Sequence, residues 1–168
     1  IRDRKEYPLP CYANVWLKQF PWYAGSYPSG GPVEDMLWVW KAAAPSFFTI
    51  APDIYVPYVS EIMEKYTRPD NPLVIPEVRK DAVTASYALY AYLNCHALCY
   101  APFGIEDLWQ KEPDVIPKEV TEALNIDPLS FDMTGTKETL GEVYRLLGEI
   151  KSLYLRSVSY THLTLPTT

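Results

Sequence analysis

A chain of 168 residues with 48% hydrophobic content is long enough for one sizeable core and too apolar to be disordered. Its net charge of −6, with no block of Lys or Arg, leaves no electrostatic footprint for nucleic acid. No apolar run approaches the roughly 18 residues that span a bilayer, so no membrane partner is expected.

The chain opens on Ile1-Arg2-Asp3-Arg4-Lys5-Glu6, which is charged and unlike a signal peptide. No initiator Met precedes it, so targeting information is expected to lie outside the sequence, and a periplasmic or secreted location is expected ahead of a cytoplasmic one. Pro10 to Leu17 reads as a strand that emerges into a loop from Gln19 to Gly31, rich in Pro, Gly and aromatics and broken by Ser29-Gly30-Gly31. Pro32 suits a first helical turn, Glu34 and Asp35 favour its positive dipole end, and the helix should stop before Pro45.

The same cycle then repeats. Phe47–Ala51 is a strand, Pro52-Asp53-Ile54-Tyr55 its exit, and Val59–Tyr66 a helix. Val74–Pro76 is the next strand, short and apolar as a buried parallel strand should be, with Glu77 its exit and Ala82–Leu93 the following helix. Ala97–Tyr100 is a fourth strand, leaving through Pro102-Phe103-Gly104-Ile105-Glu106-Asp107. Trp109 to Asp132 is expected to be a long loop with a short helix near Lys118–Leu124, and Lys137–Leu153 an amphipathic helix.

Four βα units in succession imply an α/β fold with a parallel sheet. No Gly-rich phosphate loop follows any strand, which argues against a dinucleotide-binding doubly wound sheet. Polar and aromatic groups gather at the strand ends instead: Asn14 and Trp16, Asp53 and Tyr55, Glu77 and Arg79, Glu106 and Asp107. In α/β barrels that rim carries the catalytic groups. Four units cannot close an eight-stranded barrel, so the pattern predicts half of one.

Aromatics reach 14%, including 14 Tyr and 5 Trp. They suit either a core of large residues or stacking on sugar rings. Cys11, Cys95 and Cys99 make no disulfide framework, and Cys95-His96-Ala97-Leu98-Cys99 lacks the second ligand pair of a structural zinc site. On a strand, Cys95, Ala97 and Cys99 would share one face. Neither metal nor other cofactor is expected. The segment Ser157–Thr168 matches the translation of a sequencing-library transposon adaptor, so a non-native, disordered tail is expected after a partial catalytic domain of residues 1–156.

The segments Tyr12–Leu17, Tyr27–Pro32, Trp40–Pro45, Ala51–Tyr55, Asn71–Glu77 and Ala101–Asp107, in this order and spacing, resemble the bacterial β-galactosidases of glycoside hydrolase family 35, in the branch with an additional β-rich C-terminal domain. The resemblance implies a (β/α)8 TIM barrel of which this chain keeps the C-terminal half, strands five to eight. It implies Glu77 as the nucleophile that ends strand seven, with Tyr55 of strand six hydrogen-bonded to it. The proton donor, an Asn-Glu pair ending strand four, would precede Ile1, and no Asn-Glu dipeptide occurs in the chain.

The implied activity is retaining hydrolysis of terminal β-galactosides by the parent protein, the fragment itself being inactive. Trp16, Phe103 and Trp22 are candidate walls of the sugar site, and Asn14 and Glu106 candidates for hydroxyl recognition. Arg79 is a second candidate partner for Glu77. The competing readings are a carbohydrate-binding or scaffold protein without catalysis, a cysteine- or metal-dependent enzyme built on Cys95, His96 and Cys99, which ranks last, and a paired, purely structural Glu77 held by Arg79 or Lys80.

Overall fold

The structure is a computed structural model that describes residues 9–110 and 116–163, with side chains through Arg156. Its strands are β1 (Cys11–Val15), β2 (Phe47–Ile54), β3 (Val74–Val78) and β4 (Cys99–Pro102). Its helices are α1 (Leu37–Ala43), α2 (Val59–Tyr66), α3 (Thr84–Leu93), α4 (Lys118–Ala123) and α5 (Thr136–Leu163). The fold is α/β, with one parallel sheet in the order β1-β2-β3-β4.

That order has a direct consequence. A right-handed crossover to the neighbouring strand always lays its helix on the same face of the sheet. With no reversal of order among these strands, the connecting helices share one side. Burial agrees: Ile54, Ile75, Val78 and Tyr100 join Ile62, Met63 and Tyr66 of α2, Ala88 of α3 and Leu140 of α5 in one core. On the other face Tyr12 and Phe48 stay exposed. A hollow of about 340 Å3 opens there, lined by Tyr12, Phe48, Val74, Pro76, Cys99 and Ala101.

The helices follow their residue spacing. Val59, Ile62, Met63 and Tyr66 of α2 lie one helical turn apart and are all buried. Along α3 the buried positions are Thr84, Ala85, Ala88 and Ala91, small side chains that let the helix settle close to its neighbours. α1 begins later than Pro32 implies, because Glu34–Met36 forms a 3-10 turn first.

The strands depart from expectation at their ends, each for a local reason. β2 runs on through Pro52 and Asp53 because it is paired on both sides, to β1 and to β3. β3 continues through Glu77 to Val78, whose carbonyl accepts from the Phe103 amide at 2.9 Å. β4 starts two residues late because residues 94–97 terminate α3. His96 takes a left-handed backbone, φ 53°, and the Ala97 amide returns to the Ala91 carbonyl at 2.9 Å. Cys95, Ala97 and Cys99 therefore do not share a strand face.

At its start β2 meets a side chain in place of a strand. Asn71 is fully buried, accepts from the Ile50 amide at 2.8 Å, and donates to the carbonyls of Ile50 at 3.0 Å and Tyr66 at 2.9 Å. Across the opposite end, Gln19 Nε2 donates to the Leu124 carbonyl at 2.6 Å and Asn125 Nδ2 to the Phe20 carbonyl at 2.7 Å. These two bonds clasp the first loop to the end of α4.

Helix α5 continues past Leu153 to Leu163. The expected disordered tail thus begins inside a helical backbone, since no Gly or Pro interrupts Leu153–Leu163 before Pro166; residues 164–168 lie outside the described residues. No helix among the described residues is long and apolar enough to cross a membrane.

Candidate active site

The parallel register brings three polar side chains to one end of the sheet. Asp53 of β2 is the direct register partner of Glu77 on β3, and Asn14 of β1 is paired with the neighbouring Ala51. Asn14 Nδ2 donates to Asp53 Oδ2 at 3.1 Å and to Glu77 Oε1 at 3.3 Å. The Tyr55 hydroxyl, one residue beyond β2, donates to Glu77 Oε2 at 3.0 Å. Each Glu77 oxygen therefore has its own donor, from a different strand.

Tyr55 is held by its surroundings. Its ring stacks on Phe131 at 5.4 Å between centroids and on Trp16 at 6.3 Å, and meets Phe103 edge-on at 6.2 Å. Its carbonyl accepts from the Asp127 amide at 3.2 Å and the Ser130 hydroxyl at 3.0 Å. Burial, and then the negative charge of Glu77, push its phenol well above the usual range, so it remains a hydroxyl donor.

Asp53 is the group that sequence reasoning left out of the site. It is buried, and its Oδ1 has no hydrogen-bond partner. Burial first, then the Glu77 charge, push its carboxyl up to about 7, against the opposing pull of Asn14. Its place in the Pro52-Asp53-Ile54-Tyr55 exit was the available signal. Phe131 was hidden in the expected long loop, with nothing in the sequence to single it out.

Arg79 and Lys80 do not pair with Glu77. Arg79 turns the other way, bidentate to Asp81 with both contacts at 2.7 Å, and reaches Asp127 at 2.8 Å and the Val56 carbonyl at 3.3 Å. Lys80 is buried against Asp107 and lies 5.9 Å from the Phe131 ring centroid. Gly104 sits beside that pair with φ +58°. A Cβ there would come within 2.8 Å of Asp107 and 3.4 Å of Lys80.

Trp16, Phe103, Tyr55, Asn14 and Glu77 thus come together. Glu106 is exposed on a 3-10 turn and takes no part in the hydrogen bonds around Glu77. Trp22 packs on Tyr58 at 6.1 Å, outside this aromatic group. The hollow of about 630 Å3 between α3 and α5 is lined mainly by apolar groups and contains no carboxyl side chain. Among the described residues no three His, Cys, Asp or Glu side chains are grouped to hold a metal ion; His96 Nδ1 is hydrogen-bonded to the Tyr154 hydroxyl at 2.6 Å.

The arrangement suits a carboxylate fixed in direction beside aromatic surfaces, able to attack or to bind a polar, ring-shaped ligand. No protein-family profile matches the chain, and no curated protein matches it.

Proposed function

We propose that these four βα units are half of an eight-stranded α/β barrel, strands five to eight, and that Glu77 is the nucleophile of a retaining β-galactosidase. Consecutive strand order with helices on one side supports the barrel half, because a closed barrel is such a sheet continued until its two edges meet. The uncovered face is then the barrel interior, and the polar cluster lies at its C-terminal mouth.

One observation carries the functional reading: Glu77 stands at that mouth with one oxygen bound by Tyr55 and the other by Asn14. In the first step Glu77 attacks the anomeric carbon and forms an ester bond to it, while an acid protonates the departing oxygen. In the second step water attacks the same carbon and gives its proton to that acid, now deprotonated and acting as base, the ester bond breaks, and Glu77 regains its charge. Trp16 and Phe103 supply apolar faces for the sugar ring.

Asp53 is not the acid of this scheme. It shares the Asn14 amide with Glu77 and is buried beside it, whereas the proton donor must face the nucleophile across the sugar, roughly 5 Å away. The donor is assigned to the complementary half of the barrel. A carbohydrate-binding protein without catalysis is the second reading, favoured by the fact that the carboxyl which hydrogen bonds join to Glu77 lies on its own side.

The test is mechanism-based labelling. A 2-deoxy-2-fluoro-β-galactosyl fluoride, incubated with the longer protein that contains this chain, should leave a fluorogalactosyl group on Glu77, read by peptide mass spectrometry. A label on another carboxylate removes the nucleophile assignment. Galactoside binding without label or turnover selects the binding reading.

A further inference from the structure

We propose that Asp53 is a positioning residue: it clamps the Asn14 amide, so that this exposed side chain meets a ligand with its carbonyl oxygen alone. The clamp stands on geometry. Only the identity of the ligand, a hydroxyl of a β-galactoside, rests on the reading above.

An asparagine amide carries two N–H bonds and one acceptor oxygen. At Asn14 the nitrogen faces two carboxyl groups from two different strands, Asp53 Oδ2 at 3.1 Å and Glu77 Oε1 at 3.3 Å. Both N–H bonds are thereby committed. Turning the amide over would set its oxygen against two carboxyl oxygens, an arrangement with no hydrogen bond to Glu77. The orientation is therefore fixed by the network.

Glu77 alone would not fix it. Asn14 is exposed near the end of an edge strand, and a single partner leaves its terminal torsion free to swing. Asp53 supplies the rigid anchor. It is 9% exposed, its strand is paired on both sides, and its register partner is Glu77 itself. The charged or titratable groups acting on it are Glu77 from β3, Tyr55 beyond its own strand and Tyr66 from α2. No Lys or Arg side chain donates to it among the described residues. Protonated or not, Asp53 keeps an oxygen that accepts from Asn14.

The consequence for recognition is one of sign. A ligand group that only accepts hydrogen bonds gains nothing at Asn14, while a hydroxyl can donate to it. Asp53 thus sets the polarity of a contact it does not itself make.

The experiment has two arms. The chain has four asparagines, so selective 15N labelling with Asn14→Ala as the assignment control isolates the Asn14 side-chain amide. Its two protons should exchange with water at least about tenfold more slowly than a free amide's, given a hydrogen bond of roughly 1.4 kcal/mol. Asp53→Asn, which keeps an acceptor, should preserve that protection, and Asp53→Leu should abolish it. Asp53→Ala serves the same comparison without added bulk should the leucine variant fail to fold. Unchanged protection in the leucine or alanine variant overturns the clamp.

The second arm uses the longer protein and nitrophenyl β-galactoside with its monodeoxy analogues. One deoxy position should lower kcat/KM about tenfold in the native protein and in Asp53→Asn, but not in Asp53→Ala. Equal discrimination in all three overturns the ligand contact. Protection without hydrolysis of any galactoside leaves the clamp standing and removes the glycosidase reading. Loss of the clamp with labelling of Glu77 does the reverse.

Discussion

Asp53 is buried beside a like charge, and burial is the larger of the two reasons its carboxyl is pushed up to about 7. That shift ties folding to pH. In the unfolded chain an aspartate titrates near about 4. Between those values the folded chain holds a proton that the unfolded chain has released, so raising the pH favours unfolding. The stabilisation is fully present below about pH 4 and is lost as the pH rises through about 7. In Asp53→Asn there is no proton to lose, so the midpoint of thermal unfolding should fall less between pH 5 and pH 8 than in the native chain. Parallel pH dependence in the two proteins would count against a buried, raised Asp53. This residue also marks where sequence reading stopped. Glu77 and Tyr55 were legible as strand-end groups because a carboxylate and a phenol left apolar strands at matching places in the cycle, and the bond between them was implied by the family resemblance. Asp53 stood in the same exit segment, but nothing in one sequence says that a register pair will press it against Glu77.

The elements were more legible than their edges. Hydrophobic spacing located α2 to the residue, because four buried side chains at helical intervals leave little choice. The strand limits of β2, β3 and β4 depended on ladder bonds to neighbours distant in sequence, which a local pattern does not contain. The loop after α4 was the least legible, since its order comes from a buried cation. Arg79, with its side chain 5% exposed, holds Asp81 and Asp127, and Asp127 leads into the turn that carries Ser130 and Phe131 to Tyr55. Arg79→Met fills much of the volume but strands two carboxylates with little access to water. It should cost about 3–5 kcal/mol in urea unfolding and speed amide exchange at Asp127 and Ser130. A loss below about 1 kcal/mol would place this network with surface ion pairs.

At the scale of the molecule, the sheet has a helix-covered side, an uncovered side and outer edges on β1 and β4. Exposed Tyr12 and Phe48 flank an apolar hollow on the open side. Such a surface is satisfied only by another body, so the isolated chain should self-associate over roughly the micromolar range, seen as a sedimentation coefficient that rises with concentration. Replacing Tyr12 and Phe48 with lysine should suppress the rise; a native chain that sediments as a monomer throughout would argue that the open face is adequate in water. The nearest-neighbour strand order has a further consequence, for how the chain divides. Every loop between units separates segments that are contiguous in sequence and also contiguous in the sheet, so a backbone break there divides the sheet along one strand boundary. Reassembly of two such pieces restores one row of ladder bonds and the side-chain bonds that cross it, together with the clasp from Gln19 and Phe20 to Leu124 and Asn125, which spans each of these divisions and gives the separated pieces a further point of mutual recognition.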